Sequence, residues 1–305
     1  MRAVILLLTL VTITISGLAF AFQDRPDDAA RALSGAIDIH VHSDPDSRAR
    51  SIDAIDVAKL AKSRGMRGIV LKNHDDPTGG LAYIVRKEVS GLEVFGGVAL
   101  NLAVGGINPV AVQHMTEVSG GWGRVVWMPT YDAENHIRTG NENRPFVSVS
   151  RNGELLPEVK QVIGLIARNG LVLATGHSSP AEGLMLVREG RRQGVQHMVV
   201  THAMFTPVFM TVPQMQEAAK EGAFIEFAGG SVNAAGGAAR MDSFADAIRK
   251  VGPEFCILST DLGQRGNPLP PDGFAALLQA MRARGFSDQD VDLMAKKNPA
   301  RLLGL

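Results

Sequence analysis

The chemically informative residues of this chain are histidines at the ends of short apolar runs. The first run, Ala36 to Val41, ends in Asp38-Ile39-His40-Val41-His42. Three later runs end in Thr175-Gly176-His177, Thr201-His202-Ala203 and Ser259-Thr260-Asp261. If the first run is a strand, alternation turns His40 and His42 to the same side. Neutral imidazoles and a carboxylate are the donors that zinc and similar first-row divalent ions take. Singly each piece is weak. A His-x-His pair is more often incidental, a lone histidine after a strand is usually a hydrogen-bonded loop residue, and Asp261 alone could cap a helix. Four of the eight histidines recurring at such ends, with an aspartate at a fifth position, point to a metal centre built from His40, His42, His177, His202 and Asp261. His114 on a helix, His136 in a long insertion and His197 at the start of a run read as bystanders.

Such residues, far apart in sequence, need a scaffold that brings strand ends together. Apolar runs at Arg67 to Asn73, Glu93 to Leu100, Val125 to Met128, Leu171 to Thr175, His197 to Thr201, Ala223 to Phe227 and Phe255 to Ser259 continue the pattern set by the first. Stretches with helical spacing lie between them, for example Ile52 to Ser63, Pro109 to Val118 and Pro157 to Arg168. Runs such as Leu171-Val172-Leu173-Ala174 are continuously apolar, as strands buried on both faces of a parallel sheet are. Eight such units predict an α/β chain folded as a single (β/α)8 TIM barrel. A doubly wound open sheet is the competitor, but no Gly-x-Gly-x-x-Gly follows the first strand. The segment Tyr131 to Leu156 breaks the rhythm and reads as a long insert after strand four, with a small hairpin turning at Asn152-Gly153. In a barrel the functional groups gather at the C-terminal ends of the strands, where the histidines fall.

At the N-terminus, Arg2, the apolar stretch Ala3 to Ile15 and Ala19-Phe20-Ala21 read as a secretory signal peptide, residues 1–21, cleaved after Ala21. A spacer over 22–35 and a barrel domain over 36–305 follow, and the mature protein is expected in the periplasm or secreted, without a membrane span. Cys256 is the only cysteine, so no intrachain disulfide can form. Lysine plus arginine equals aspartate plus glutamate at 31 each, which argues against nucleic acid or a charged membrane surface as partner. A small-molecule substrate is the expected partner, and homo-oligomers are left open.

His40-x-His42, His177, His202 and Asp261 on strands one, five, six and eight, with the closing Asn298-Pro299-Ala300-Arg301-Leu302-Leu303, resemble the amidohydrolase superfamily over nearly the whole mature chain. The resemblance implies one or two divalent ions, zinc first among them, a metal-bound water as nucleophile, and Asp261 as both ligand and proton shuttle. Two-metal members usually carry a bridging carboxylated lysine or glutamate on strand four, whereas here that strand ends Trp127-Met128-Pro129-Thr130. Strand two offers Lys72 and His74 on one face instead. A carboxylated Lys72 would bridge two ions; an ordinary ammonium there would bind an anion or pair with a carboxylate. In a one-metal site, His202 would polarise substrate or orient water.

Asp38 is the expected partner of a ligand imidazole. His74 and the rim residues Arg48, Tyr131 and Arg138, with Asp132 and Arg144, are the substrate-contact candidates. The leading expectation is a metal-dependent hydrolase of an amide, cyclic amide, lactone or ester. A one-metal decarboxylase or hydratase on the same barrel and a non-catalytic extracytoplasmic binding protein are the alternatives.

Overall fold

In the computed structural model, residues 32–230, 232 and 236–305 are described. The expected leader and most of the spacer lie outside them. Leu33, 1% exposed, already belongs to the core.

The elements run β1 (Ile37–Val41), α1 (Ala54–Ser63), β2 (Gly68–Leu71), α2 (Gly79–Glu88), β3 (Glu93–Ala99), α3 (Pro109–Glu117) and β4 (Gly123–Trp127). The insert follows, with α4 (Glu134–Thr139) and the hairpin β5 (Ser150–Arg151) and β6 (Glu154–Leu155). The chain then passes through α5 (Pro157–Arg168), β7 (Val172–Ala174), α6 (Pro180–Arg192), β8 (His197–Val200), α7 (Val212–Lys220), β9 (Phe224–Ala228), α8 (Gly237–Val251) and β10 (Cys256–Ser259). It closes with α9 (Pro270–Arg282), α10 (Asp288–Asp292) and α11 (Asn298–Leu303). Among the described residues, no helix is long and apolar enough to cross a membrane.

Eight strands pair in the order β1-β2-β3-β4-β7-β8-β9-β10, and every ladder between them is parallel. The seam between β1 and β10 is joined just beyond the strands, where Asp261 N donates to His40 O at 2.9 Å and His42 N to Leu262 O at 2.8 Å. The result is the expected single-domain (β/α)8 barrel. Local chemistry supports the helices: Asp53 caps α1 by accepting from Ile55 N and Asp56 N, and Ser179 with Glu182 forms a capping box on α6. The insert hairpin turns as expected at Asn152-Gly153, both at positive φ (52° and 79°), as a tight hairpin turn demands. The short helix α4, anchored by buried Ile137, was not anticipated in the insert.

Two apolar clusters hold the barrel. One lies between strands and helices; the other fills the interior with Ile37, Ile39, Val70, Phe95, Val125 and Trp127, closed off by Leu302 and Leu303 of α11. The interior cluster stops at Trp127, whose ring centre lies 5.6 Å from Lys72 Nζ. Above it the interior turns polar.

Candidate metal centre

Alternation sets which strand residues look inward. On β2, Ile69 and Leu71 join the outer cluster and Val70 the inner one, so Lys72 follows Val70 into the interior. On β9, Ile225 and Phe227 face outward, which turns Glu226 inward opposite Ile257 of β10. On β1 the pairing with β2 slips between Asp38 and Val41. Ile37 and Ile39 pack inside while Val41 packs outside, so His40 and His42 share a face as expected, but Asp38 does not share it.

That slip corrects the expectation for Asp38. Its carboxylate accepts from the backbone N of His40 (3.1 Å) and of Thr260 (3.1 Å) and from Thr260 Oγ1 (2.6 Å), with no imidazole among these partners. Burial pushes it up to about 7. It ties β1 to the end of β10. The carboxylate partner of the His40 imidazole is Glu226, which the sequence reading missed. Glu226 Oε1 accepts from His40 Nδ1 (3.0 Å) and Ser259 Oγ (2.7 Å), and Oε2 accepts from His202 N (2.7 Å). Burial opposes its charge, but His40 and His202, the latter through its charge and its backbone N–H, hold it down to about 2.

His40 Nε2 and His42 Nε2 both address Asp261 Oδ1, each at 3.0 Å. These three side chains offer donor atoms within 4.8 Å of one another. Lys72 Nζ lies 2.9 Å from His40 Nε2. The imidazoles then continue as a closed circle. Ring centres are 5.3 Å apart for His40–His42, 4.9 Å for His42–His74, 6.3 Å for His74–His177, 4.8 Å for His177–His202 and 6.1 Å for His202–His40. All five are buried. The structure thus brings together every expected ligand, with His40, His42 and Asp261 as the tight group and His177 and His202 as the next arc.

Backbone geometry delivers these side chains. His202 (φ 25°) and Asp261 (φ 55°) sit at positive φ, which costs a non-glycine residue about 1–3 kcal/mol and is a feature of functional sites. Gly176, just before His177, has φ +62°, and a Cβ there would stand 2.2 Å from Met128 O. Gly263 (φ +129°) passes so near His42 O that a Cβ would meet it at 2.0 Å.

The donor set fits a divalent cation. Glu226 claims the Nδ1 proton of His40, so a neutral His40 aims a lone pair at Asp261 Oδ1. That contact is favourable only with a positive charge between or beside the two atoms. A proton on His40 or the Lys72 ammonium supplies such a charge, and so would a metal ion. Accordingly, burial works against His40's charge, yet Asp261 and Glu226 raise it to about 9. Burial lowers Lys72 to about 8 against the pull of the same carboxylates. His42 and His202 are pulled down to about 4 and His74 and His177 well below their usual range, chiefly by burial, leaving the neutral form that binds metal. Asp261 stays ionised, since His40 and His42 outweigh its burial. His42 Nδ1 and His202 Nδ1 are buried with no protein partner.

Around this centre, His74 Nδ1 meets Thr130 Oγ1 at 2.9 Å, and Asn101 Nδ2 donates to the same hydroxyl at 2.7 Å; neither Thr130 nor Asn101 was anticipated. Tyr131 packs 4.1 Å from the His74 ring, and the Arg48 guanidinium lies 4.2 Å over Tyr131, so both reach the mouth as expected. Arg138 is used elsewhere: it pairs with Glu134 at 2.6 Å and lies over Phe146. Asp132 and Arg144 pair with each other. His136, read from sequence as a bystander, sets its Nδ1 2.9 Å from His177 Nδ1. His114 and His197 stay away from the mouth, the one exposed on α3 and the other opening β8 at the opposite end of the barrel.

The barrel is that of the amidohydrolase-fold enzymes. An amidohydrolase from Pseudomonas aeruginosa superposes with a TM-score of 0.61 at 13% identity, over 91% of this chain and 98% of that one. A variant of the organophosphorus hydrolase from Deinococcus radiodurans gives 0.58 at 17% identity, over 90% and 94%. A 2,6-dihydroxybenzoate decarboxylase from Rhizobium gives 0.57 at 13%, over 89% and 99%. No curated protein matches the chain in sequence. A family profile, DUF6282, described as a family of unknown function, matches residues 35–226, a span that carries His40, His42, Lys72, His74, His177, His202 and Glu226 and stops short of Asp261. The chain belongs to the DUF6282 family.

Proposed function

We propose that this protein is a metal-dependent hydrolase that cleaves an amide, cyclic amide, lactone or ester bond of a small molecule. The observation carrying this reading is the convergence of His40 Nε2 and His42 Nε2 on one oxygen of Asp261, inside a circle completed by His74, His177 and His202. His40, His42 and Asp261 would hold a divalent ion, zinc by preference; His177, His202 and a carboxylated Lys72 would hold a second. When bound, such an ion lowers the pKa of water from ~15.7 toward ~7 and polarises a substrate carbonyl.

The chain's own residues do the rest. Asp261, ionised and with 31% of its side chain exposed, takes the proton of the attacking water and delivers it to the leaving group. Glu226 fixes the tautomer of His40 so that Nε2 faces the centre. Neutral His202, with its unpartnered Nδ1, orients the substrate carbonyl. Tyr131 and Arg48 contact substrate at the mouth. The organophosphorus hydrolase and amidohydrolase of the same fold support this class of reaction. The leader read in residues 1–21 supports a periplasmic or secreted location.

A one-metal decarboxylase or hydratase is the second reading. It draws on β4, which offers no bridging carboxylate or lysine, on a buried Lys72 suited to a substrate carboxylate, and on the decarboxylase of the same fold. A panel of lactones, cyclic amides, esters and aromatic acids separates the two by product. On the hydrolysed substrate, Asp261→Asn is expected to lower kcat by roughly 10²–10⁴-fold, the usual weight of general acid–base catalysis, while ligand binding persists. Turnover unchanged in Asp261→Asn removes the mechanism, and ligand binding without turnover in the parent protein makes it a binding protein.

A further inference from the structure

The insert after β4 places His136 against His177 for a purpose that neither the fold nor the ligand set requires. Its helix is pinned there. Ile137 is buried, and Asn135 Nδ2 donates to His177 O at 3.1 Å and to Pro207 O at 2.9 Å. The two Nδ1 atoms stand 2.9 Å apart, a hydrogen-bond distance at which one nitrogen carries the proton and the other accepts it. The far nitrogen of His136, Nε2, faces Glu142 Oε1 at 3.7 Å. Glu142 is held in turn by Arg144 Nε at 2.5 Å, and Arg144 also pairs with Asp132 and donates to Tyr131 O at 2.6 Å.

A carboxylate beside Nε2 favours the proton on that nitrogen. In neutral His136 this leaves Nδ1 as an acceptor. His177 must then donate from its own Nδ1, so its Nε2 carries a lone pair. The geometry points to His136 as a positioning residue that, backed by Glu142, fixes His177 in the Nδ1–H tautomer and presents Nε2 as a metal donor. The inference rests on the metal-centre reading above. It gives the insert a role at the centre: it supplies to His177, on the far arc of the circle, what Glu226 supplies to His40. Nδ1 of His136 is taken up by Nδ1 of His177, so His136 acts through His177.

The test uses the purified protein, Zn2+ and three sequences: parent, His136→Ala and His136→Asn. An asparagine amide oxygen stands near the place of Nδ1 and accepts; alanine cannot. Competition with a chelator is expected to show Zn2+ held roughly 10–100-fold more weakly by His136→Ala, the usual effect of losing a partner of a ligand histidine, with most of the loss recovered in His136→Asn. Thermal melts establish that each variant is folded. In the zinc-free parent, ring ¹⁵N NMR is expected to show His177 protonated on Nδ1. Equal Zn2+ affinity in parent and His136→Ala, no recovery in His136→Asn, or a His177 proton on Nε2 overturns the inference. A parent that takes up no Zn2+ overturns the metal-centre reading instead, and the NMR result then still decides the His136–His177 contact.

Discussion

The two ends of the barrel interior are built from the same strands and obey opposite rules. At the floor, Ile37, Val70, Phe95 and Val125 meet Leu302 and Leu303 in an apolar plug. A few residues along, the same strands or their ends bury Lys72, His40 and Glu226, each almost inaccessible. Apolar burial at the floor stabilises the fold at about 25 cal/mol per Å² removed from water. Burying charge at the mouth does the reverse unless every charge is matched, since effective desolvation costs several kcal/mol per ion. The mouth is matched by Glu226 on His40 and by Lys72 beside His40 and Asp261. A fold that needed only stability would continue the floor upward. The difference teaches that the buried polar centre is not there for stability, which is what the proposed metal chemistry would require.

The comparison breaks most sharply if a mouth residue proves to matter for stability alone. Asp261→Asn should therefore carry the largest effect on turnover, with the melting transition retained. Its mirror at the floor is Leu303→Ala, which should destabilise the protein by about 2–5 kcal/mol in denaturant titration and leave kcat per folded molecule unchanged. A Leu303→Ala protein that stays stable but loses activity would erase the division between the two ends.

The pH dependence of stability is a smaller effect that sharpens the same contrast. In the metal-free protein His42 and His202 are held at about 4, mainly by burial, against an ordinary 6.5. Their folded pKa is depressed, so their contribution is fully present above about pH 6.5 and is lost as pH falls through about 4. His40, raised to about 9, contributes stability that is fully present below 6.5 and is lost as pH rises through 9. Melting curves in a chelator should give a maximum between these limbs. On the acid side His74 and His177 shift the same way as His42 and His202, and the four together outweigh Asp38, whose raised value opposes them. On the basic side Lys72, lowered to about 8, offsets part of the loss from His40. A melting temperature flat from pH 7 to 4.5 would contradict the burial of neutral imidazoles.

Much of this was legible in the sequence because a barrel converts strand number into position. Once eight apolar runs with helical crossovers were read, the ends of the first, fifth, sixth and eighth had to share one rim, and their histidines and aspartate with them. Period-two alternation also placed Lys72 correctly. It failed at Asp38 because the pairing of β1 with β2 slips there, and a slip leaves no mark on hydrophobic periodicity. Glu226 left a signal that was passed over: a single charge inside Phe224-Ile225-Glu226-Phe227-Ala228 must find a buried partner. His136 left none. Its contact with His177, 41 residues away, depends on how the insert folds back over the mouth, which no local pattern encodes. Arg138, two positions on, was the residue of this segment expected to contact substrate, and it lies against Glu134 and Phe146 instead.

The most direct test is elemental analysis of the purified protein coupled to stripping and reloading. The account predicts at least one divalent ion per chain, near two if Lys72 is carboxylated, with turnover lost on chelation and restored by Zn2+. A folded, fully active protein that contains no metal would contradict it.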